Sequence, residues 1–89
     1  MKITKNADGT ALLDCPQGQF LFSEQEFDDL VHAIPISTTH LYRLLIDTLI
    51  DGDQRKQQMR ALIEATGNSD SQLTLMQNEA LKYLPGDDD

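Results

Sequence analysis

Apolar residues follow two different rhythms along this chain. Up to Phe22 they come in short runs broken by turn signals, and beyond it they recur at spacings of three and four. Asp8-Gly9 and Pro16-Gln17-Gly18 are the turn signals, and they delimit three short strand-like runs at 2–6, 10–14 and 19–22. Alternation within them is imperfect, since Ala11, Leu12 and Leu13 run together. Even so, Met1 with Ile3, Leu13 with Cys15, and Phe20 with Phe22 can share one face. The pattern predicts a three-stranded antiparallel meander over about 2–22, and a sheet this small needs a helix packed on it.

The boundary that follows is written in local chemistry. Ser23-Glu24-Gln25-Glu26 is a capping box, with Ser23 as N-cap and Glu26 at N3, and Phe22 and Phe27 have the spacing of a hydrophobic staple. Phe27, Leu30, Val31 and Ile34 then form an i, i+3, i+4, i+7 stripe that Pro35 stops, predicting a helix over 24–34.

Ser37 or Thr38 caps a second helix over about 38–51, closed by Gly52. Seven of the ten residues at 41–50 are apolar, and His40, Arg43, Asp47 and Asp51 form the only polar stripe. A helix apolar over most of its circumference must be covered on nearly every side. Two arrangements satisfy that: a central position in one chain's core, or a flank of Leu41, Tyr42, Leu45, Ile46, Leu49 and Ile50 that meets a second copy as a homodimer.

Asp53 can cap a third helix, about 54–66, with Met59, Leu62, Ile63 and Thr66 as its stripe and Gly67-Asn68 as its end. Ser69 to Ser71 can cap a fourth, about 71–84, burying Leu73, Met76, Ala80 and Leu84 before Pro85-Gly86. The fold class is therefore α+β: a meander, a helix across it and three further short helices, in one domain over 1–84. The like-charged end at 85–89 is expected to be disordered.

Composition narrows the class of function. With 39% hydrophobic and 25% charged residues among 89, the chain has ordinary globular usage. Fifteen acids against 7 bases give a net charge of −8, a field that repels phosphate backbones and anionic lipid headgroups. Direct nucleic-acid and membrane binding are disfavoured, and a basic protein partner is favoured, a class that includes nucleic-acid-binding proteins. A single cysteine, Cys15, excludes an internal disulfide and points to a reducing compartment, and no secretory leader or membrane-length apolar run is present, so the expected location is cytoplasmic.

The acids are not evenly spread. From Asp8 through Tyr42 there are six, Asp8, Asp14, Glu24, Glu26, Asp28 and Asp29, and no Lys or Arg. Glu24 and Glu26 suit the first turn of a helix, whose dipole favours them, but Asp28 and Asp29 fall beyond its reach. Glu24, Asp28 and Asp29, with Asp14, are therefore the candidate surface for a basic partner.

Other chemistry finds little support in the sequence. Glu24, Asp28 and His32 lie at i, i+4, i+8, but nothing completes a metal site around them, and 47–53 lacks the ligand spacing of a calcium loop. A helix-turn-helix over 40–66 would place Arg55, Lys56 and Arg60 where base-reading residues sit, but Asp47, Asp51 and Asp53 flank it. No Gly-rich phosphate loop, serine elbow or paired-carboxylate motif is present, and Cys15 reads as a small apolar residue at a strand end. No cofactor is implied.

These observations predict a non-enzymatic regulator, adaptor or inhibitor that masks a basic partner. The alternatives are a nucleic-acid mimic or anti-host factor whose carboxylates stand in for phosphates, and a small acidic secretion chaperone. The chaperones interleave strands between helices, an order this chain does not follow.

Overall fold

The computed structural model describes residues 1–65 and 67–84. It has the α+β architecture read from the sequence. Strands β1 (Lys2–Lys5), β2 (Ala11–Cys15) and β3 (Gly18–Phe22) form an antiparallel sheet in sequence order, followed by helices α1 (Glu24–Ala33), α2 (Thr38–Arg43), α3 (Asp53–Glu64) and α4 (Ser69–Leu81). Register places Ile3, Leu13 and Phe20 in one row and Lys5, Ala11 and Phe22 in the next. All of these except Lys5 are buried, so this face carries the core and the opposite face, with Leu12, Asp14, Gln19 and Leu21, looks outward.

The first helix begins where the capping box requires. Glu26 N–H donates to Ser23 Oγ at 3.1 Å and Ser23 N–H to Glu26 Oε1 at 2.9 Å. The Phe22 and Phe27 rings lie 6.2 Å apart, completing the staple and turning the chain from β3 onto the core face. The helix ends at Ala33, one residue early, because Ile34 takes the extended conformation that a following proline favours.

The second helix departs most from expectation. Only Thr38–Arg43 is α-helical; Leu44–Leu49 winds as a π-helix, ending with Ile50 N–H on the Leu45 carbonyl five residues back. The buried set explains the winding. Leu41, Leu45, Ile46 and Ile50 are at most 5% exposed and recur at spacings of four, one and four. At 100° per residue, an α-helix would spread them over about 180° of its surface. The wider π turn brings them toward one side, and the polar positions His40, Arg43, Asp47 and Asp51 stay exposed.

Helices α3 and α4 shift by a residue or more from their expected bounds. Gly52, at φ +98°, precedes α3, so Asp53 lies inside the first turn and is not its cap. Asn68 caps α4 two residues earlier than expected, accepting from Ser71 N–H at 3.4 Å, and Leu84 is half-buried beyond the helix end. The expected disorder of 85–89 and the assignment of Thr66 to the α3 stripe lie outside the described residues.

Both edges of the sheet are occupied by side chains from the helical part of the chain. On β1, Ile3 N–H donates to Glu79 Oε1 at 3.2 Å, and Tyr83 Oη donates to the Ile3 carbonyl at 2.9 Å, both from the α4 end of the molecule. On β3, Arg55 Nη2 donates to the Leu21 carbonyl at 2.8 Å and Gln58 Nε2 to the Gln19 carbonyl, both from α3. Elsewhere the buried amide of Gln77 takes both backbone groups of Ile36, accepting from its N–H at 3.1 Å and donating to its carbonyl at 2.8 Å. That pairing fixes the segment between α1 and α2 against α4.

Candidate functional site

Helix α1 projects four acidic side chains, and the structure separates them into one that is paired with an arginine and three that have no Lys or Arg at ion-pair distance among the described residues. Glu26 is nearly covered, at 12% side-chain exposure, and is gripped by Arg55 through Nη1–Oε2 at 2.6 Å and Nη2–Oε1 at 2.7 Å. The guanidinium hydrogen bond holds the Glu26 carboxyl below its ordinary range, with the Ser23 N–H adding to the effect against the opposing cost of burial. The same guanidinium stacks 4.9 Å above the Phe20 ring.

Glu24, Asp28 and Asp29 are exposed. Among the described residues none of them has a Lys or Arg at ion-pair distance. Asp29 accepts from its own-helix neighbour Gln25 at 2.9 Å, and Asp28 lies 3.5 Å from His32, whose Nδ1 also meets the Asp28 carbonyl at 2.8 Å. Glu24 lies over the turn between β1 and β2. Its side chain fills the space above Gly9, where an added Cβ would come within 2.7 Å of Glu24 Cδ.

A groove of about 420 Å³ runs beside these acids. Glu24, Gln25, Asp28 and His32 form one wall, Lys5 and Tyr83 the other, over the nearly closed floor of Phe27 and Val31. Strand alternation sets Asp14 on the outward face of the sheet, opposite the face on which α1 packs. The structure thus brings Glu24, Asp28 and Asp29 together on one helix and leaves Asp14 on a separate surface.

The remaining candidates are placed as follows. Leu41, Leu45, Ile46 and Ile50 are closed into the core, and only Tyr42 and Leu49 of the second-helix flank are half-buried, so the six do not form an exposed patch. Tyr42 Oη donates to Glu64 at 2.5 Å. In the helix-turn-helix reading, Arg55 is held by Glu26 and Leu21 within the molecule, and Arg60 lines a pocket together with Tyr42 and Glu64. Among the described residues no group of three His, Cys, Asp or Glu could hold a metal ion. Cys15 is buried, and burial pushes its thiol up, away from the thiolate a nucleophile needs. No helix of the described residues is long and apolar enough to cross a membrane.

Arg55 and Gln58 are what sequence reasoning missed. Their contacts with β3 span 34 and 39 residues, and no local spacing signals them. Comparison with protein-family models, with curated proteins and with solved structures finds no match.

Proposed function

We propose that the chain is a non-enzymatic protein-binding module that docks a basic partner on the outer face of α1 and masks it. One observation carries the reading: α1 engages Glu26 internally and presents Glu24, Asp28 and Asp29 to solvent, none of them at ion-pair distance from a Lys or Arg of the described residues, with His32 beside Asp28 and Lys5 across the groove. A helix that needed acids only for its dipole would have them in its first turn alone. Asp28 and Asp29 stand beyond that turn and are both exposed, Asp28 on the wall of the groove floored by Phe27 and Val31 and Asp29 on the side away from the buried stripe. The net charge of −8 steers a positively charged partner toward the protein, and the α1 acids set where it lands. The buried, raised Cys15 thiol supports the non-enzymatic side of this reading.

The test is capture from the native cell extract with two baits, the unaltered chain and the variant Glu24→Lys, Asp28→Lys, Asp29→Lys. Proteins retained by the first and lost from the second, with far-UV circular dichroism unchanged, identify the partner. Its association rate is expected to fall by about tenfold or more between low and physiological salt. Equal capture by both baits moves the interface elsewhere, and a salt-independent rate removes the steering.

A further inference from the structure

Strand β3 is the more vulnerable edge of the sheet. β1 carries Lys2 and Lys5, charges of the kind that discourage edge pairing, and both backbone groups of Ile3 are taken by Glu79 and Tyr83. β3 reads Gly18-Gln19-Phe20-Leu21-Phe22, with no charged residue. Uncharged, aromatic-rich and free of proline, it has the composition of a segment that pairs readily with its like. The Gln19 and Leu21 carbonyls point away from β2, and two α3 side chains, Arg55 and Gln58, hold them. Leu21 is 51% exposed on the outward face, beside its cross-strand neighbour Leu12.

We propose that the β3 edge is a latent self-association surface, held shut by Arg55 and Gln58, whose occupant on release is β3 of a second copy of this chain. The strand is self-complementary about Phe20. In an antiparallel pair centred there, Gln19 of one copy faces Leu21 of the other, and each exchanges N–H and carbonyl with its opposite. The carbonyls now bound by Arg55 and Gln58 would then accept from peptide N–H groups. The two sheets would join into one of six strands about a two-fold axis, a closed isologous arrangement. On the outward face, Leu21 of each copy would lie opposite Gln19 of the other and diagonal to its Leu21, covering part of the exposed side chain. Self-association through the second-helix flank would have to draw on Leu41, Leu45, Ile46 and Ile50, which the core already uses.

The test opens the latch in the full chain with the double variant Arg55→Ala, Gln58→Ala and reads mass by sedimentation over a concentration series. The unaltered chain is expected at the mass of one copy and the variant at twice that mass. Adding Leu21→Pro, which removes an outward N–H and is tolerated on an edge strand, should return the variant to one copy. A folded double variant that stays at one copy at every concentration overturns the proposal, as does a dimer that Leu21→Pro leaves intact. If the double variant does not fold, adding Glu26→Gln removes the carboxylate that Arg55→Ala leaves unpaired while both edge carbonyls stay released. A folded triple variant that remains a single copy overturns the proposal equally.

Discussion

Arg55 and Glu26 lie 29 residues apart and meet through two parallel hydrogen bonds of 2.6 and 2.7 Å. The pair ties the first turn of α1 to the first turn of α3. The third Arg55 contact, on the Leu21 carbonyl, adds the sheet edge to the same knot. Arg55→Ala leaves a nearly covered carboxylate without its partner. With the Arg55 side chain 37% exposed and water able to screen the pair, the expected cost is about 1–2 kcal/mol. Arg55→Lys should recover only part of this, because an ammonium lacks the planar fork. Urea unfolding of the three chains measures it, and equal midpoints would show that the knot contributes nothing.

Acid should loosen the same knot. Arg55 holds the Glu26 carboxyl below its ordinary 4.5, and Lys82, followed by the Ile3 N–H, does the same for Glu79. The folded chain therefore binds these protons more weakly than the unfolded chain does. Their stabilisation is fully present above the ordinary carboxylate value and is lost as pH falls through the lower folded values. Stability in urea should hold down to about pH 5 and then decline. Glu26→Gln should be less stable at neutral pH and decline less steeply in acid; parallel curves would remove Glu26 from the account.

Gln77 is the one buried polar side chain of the described core, and both ends of its amide are bound to Ile36. Gln77→Leu keeps the volume and leaves two part-buried backbone groups unpaired, at a cost of about 1–3 kcal/mol. Thermal unfolding should shift down by about 4 °C or more. An unchanged transition would mean that water replaces the amide at no cost.

The second helix makes a different kind of prediction. Leu45 is fully buried within a single chain, so Leu45→Ala should cost about 2–5 kcal/mol, independent of protein concentration. A residue at an interface between copies would instead give an unfolding midpoint that rises with concentration. Measuring the midpoint across a dilution series separates the two.

The parts of the fold legible in the sequence were those governed by neighbours. Ser23, Glu26, Phe22 and Phe27 announce the start of α1 within a few residues, and the turns at Asp8-Gly9 and Pro16-Gln17 delimit the strands. The acids Glu24, Asp28 and Asp29 could be assigned to one exposed face from helical periodicity alone. What periodicity obscured was the winding of 44–49, because the apolar residues there suit a π turn and look, on an α-helical wheel, like a helix greasy nearly all round. Glu26 was legible as a cap but not as a partner of Arg55. Its capping role uses Oε1, and Oε2 meets a residue from an element with no local signature. Arg55 in turn has the position of a base-reading residue and the surroundings of a structural one.

The turn at Gly9 reaches further than its place in a loop suggests. Its backbone sits at φ +95°, and the Glu24 side chain occupies the volume where any other residue's Cβ would stand. A substitution there would strain the hairpin and displace a carboxylate of the acidic face in the same stroke. Position 9 is thus tied to the aim of Glu24, and variation in the loop would be felt at the helix surface without position 9 itself having to contact anything that binds there.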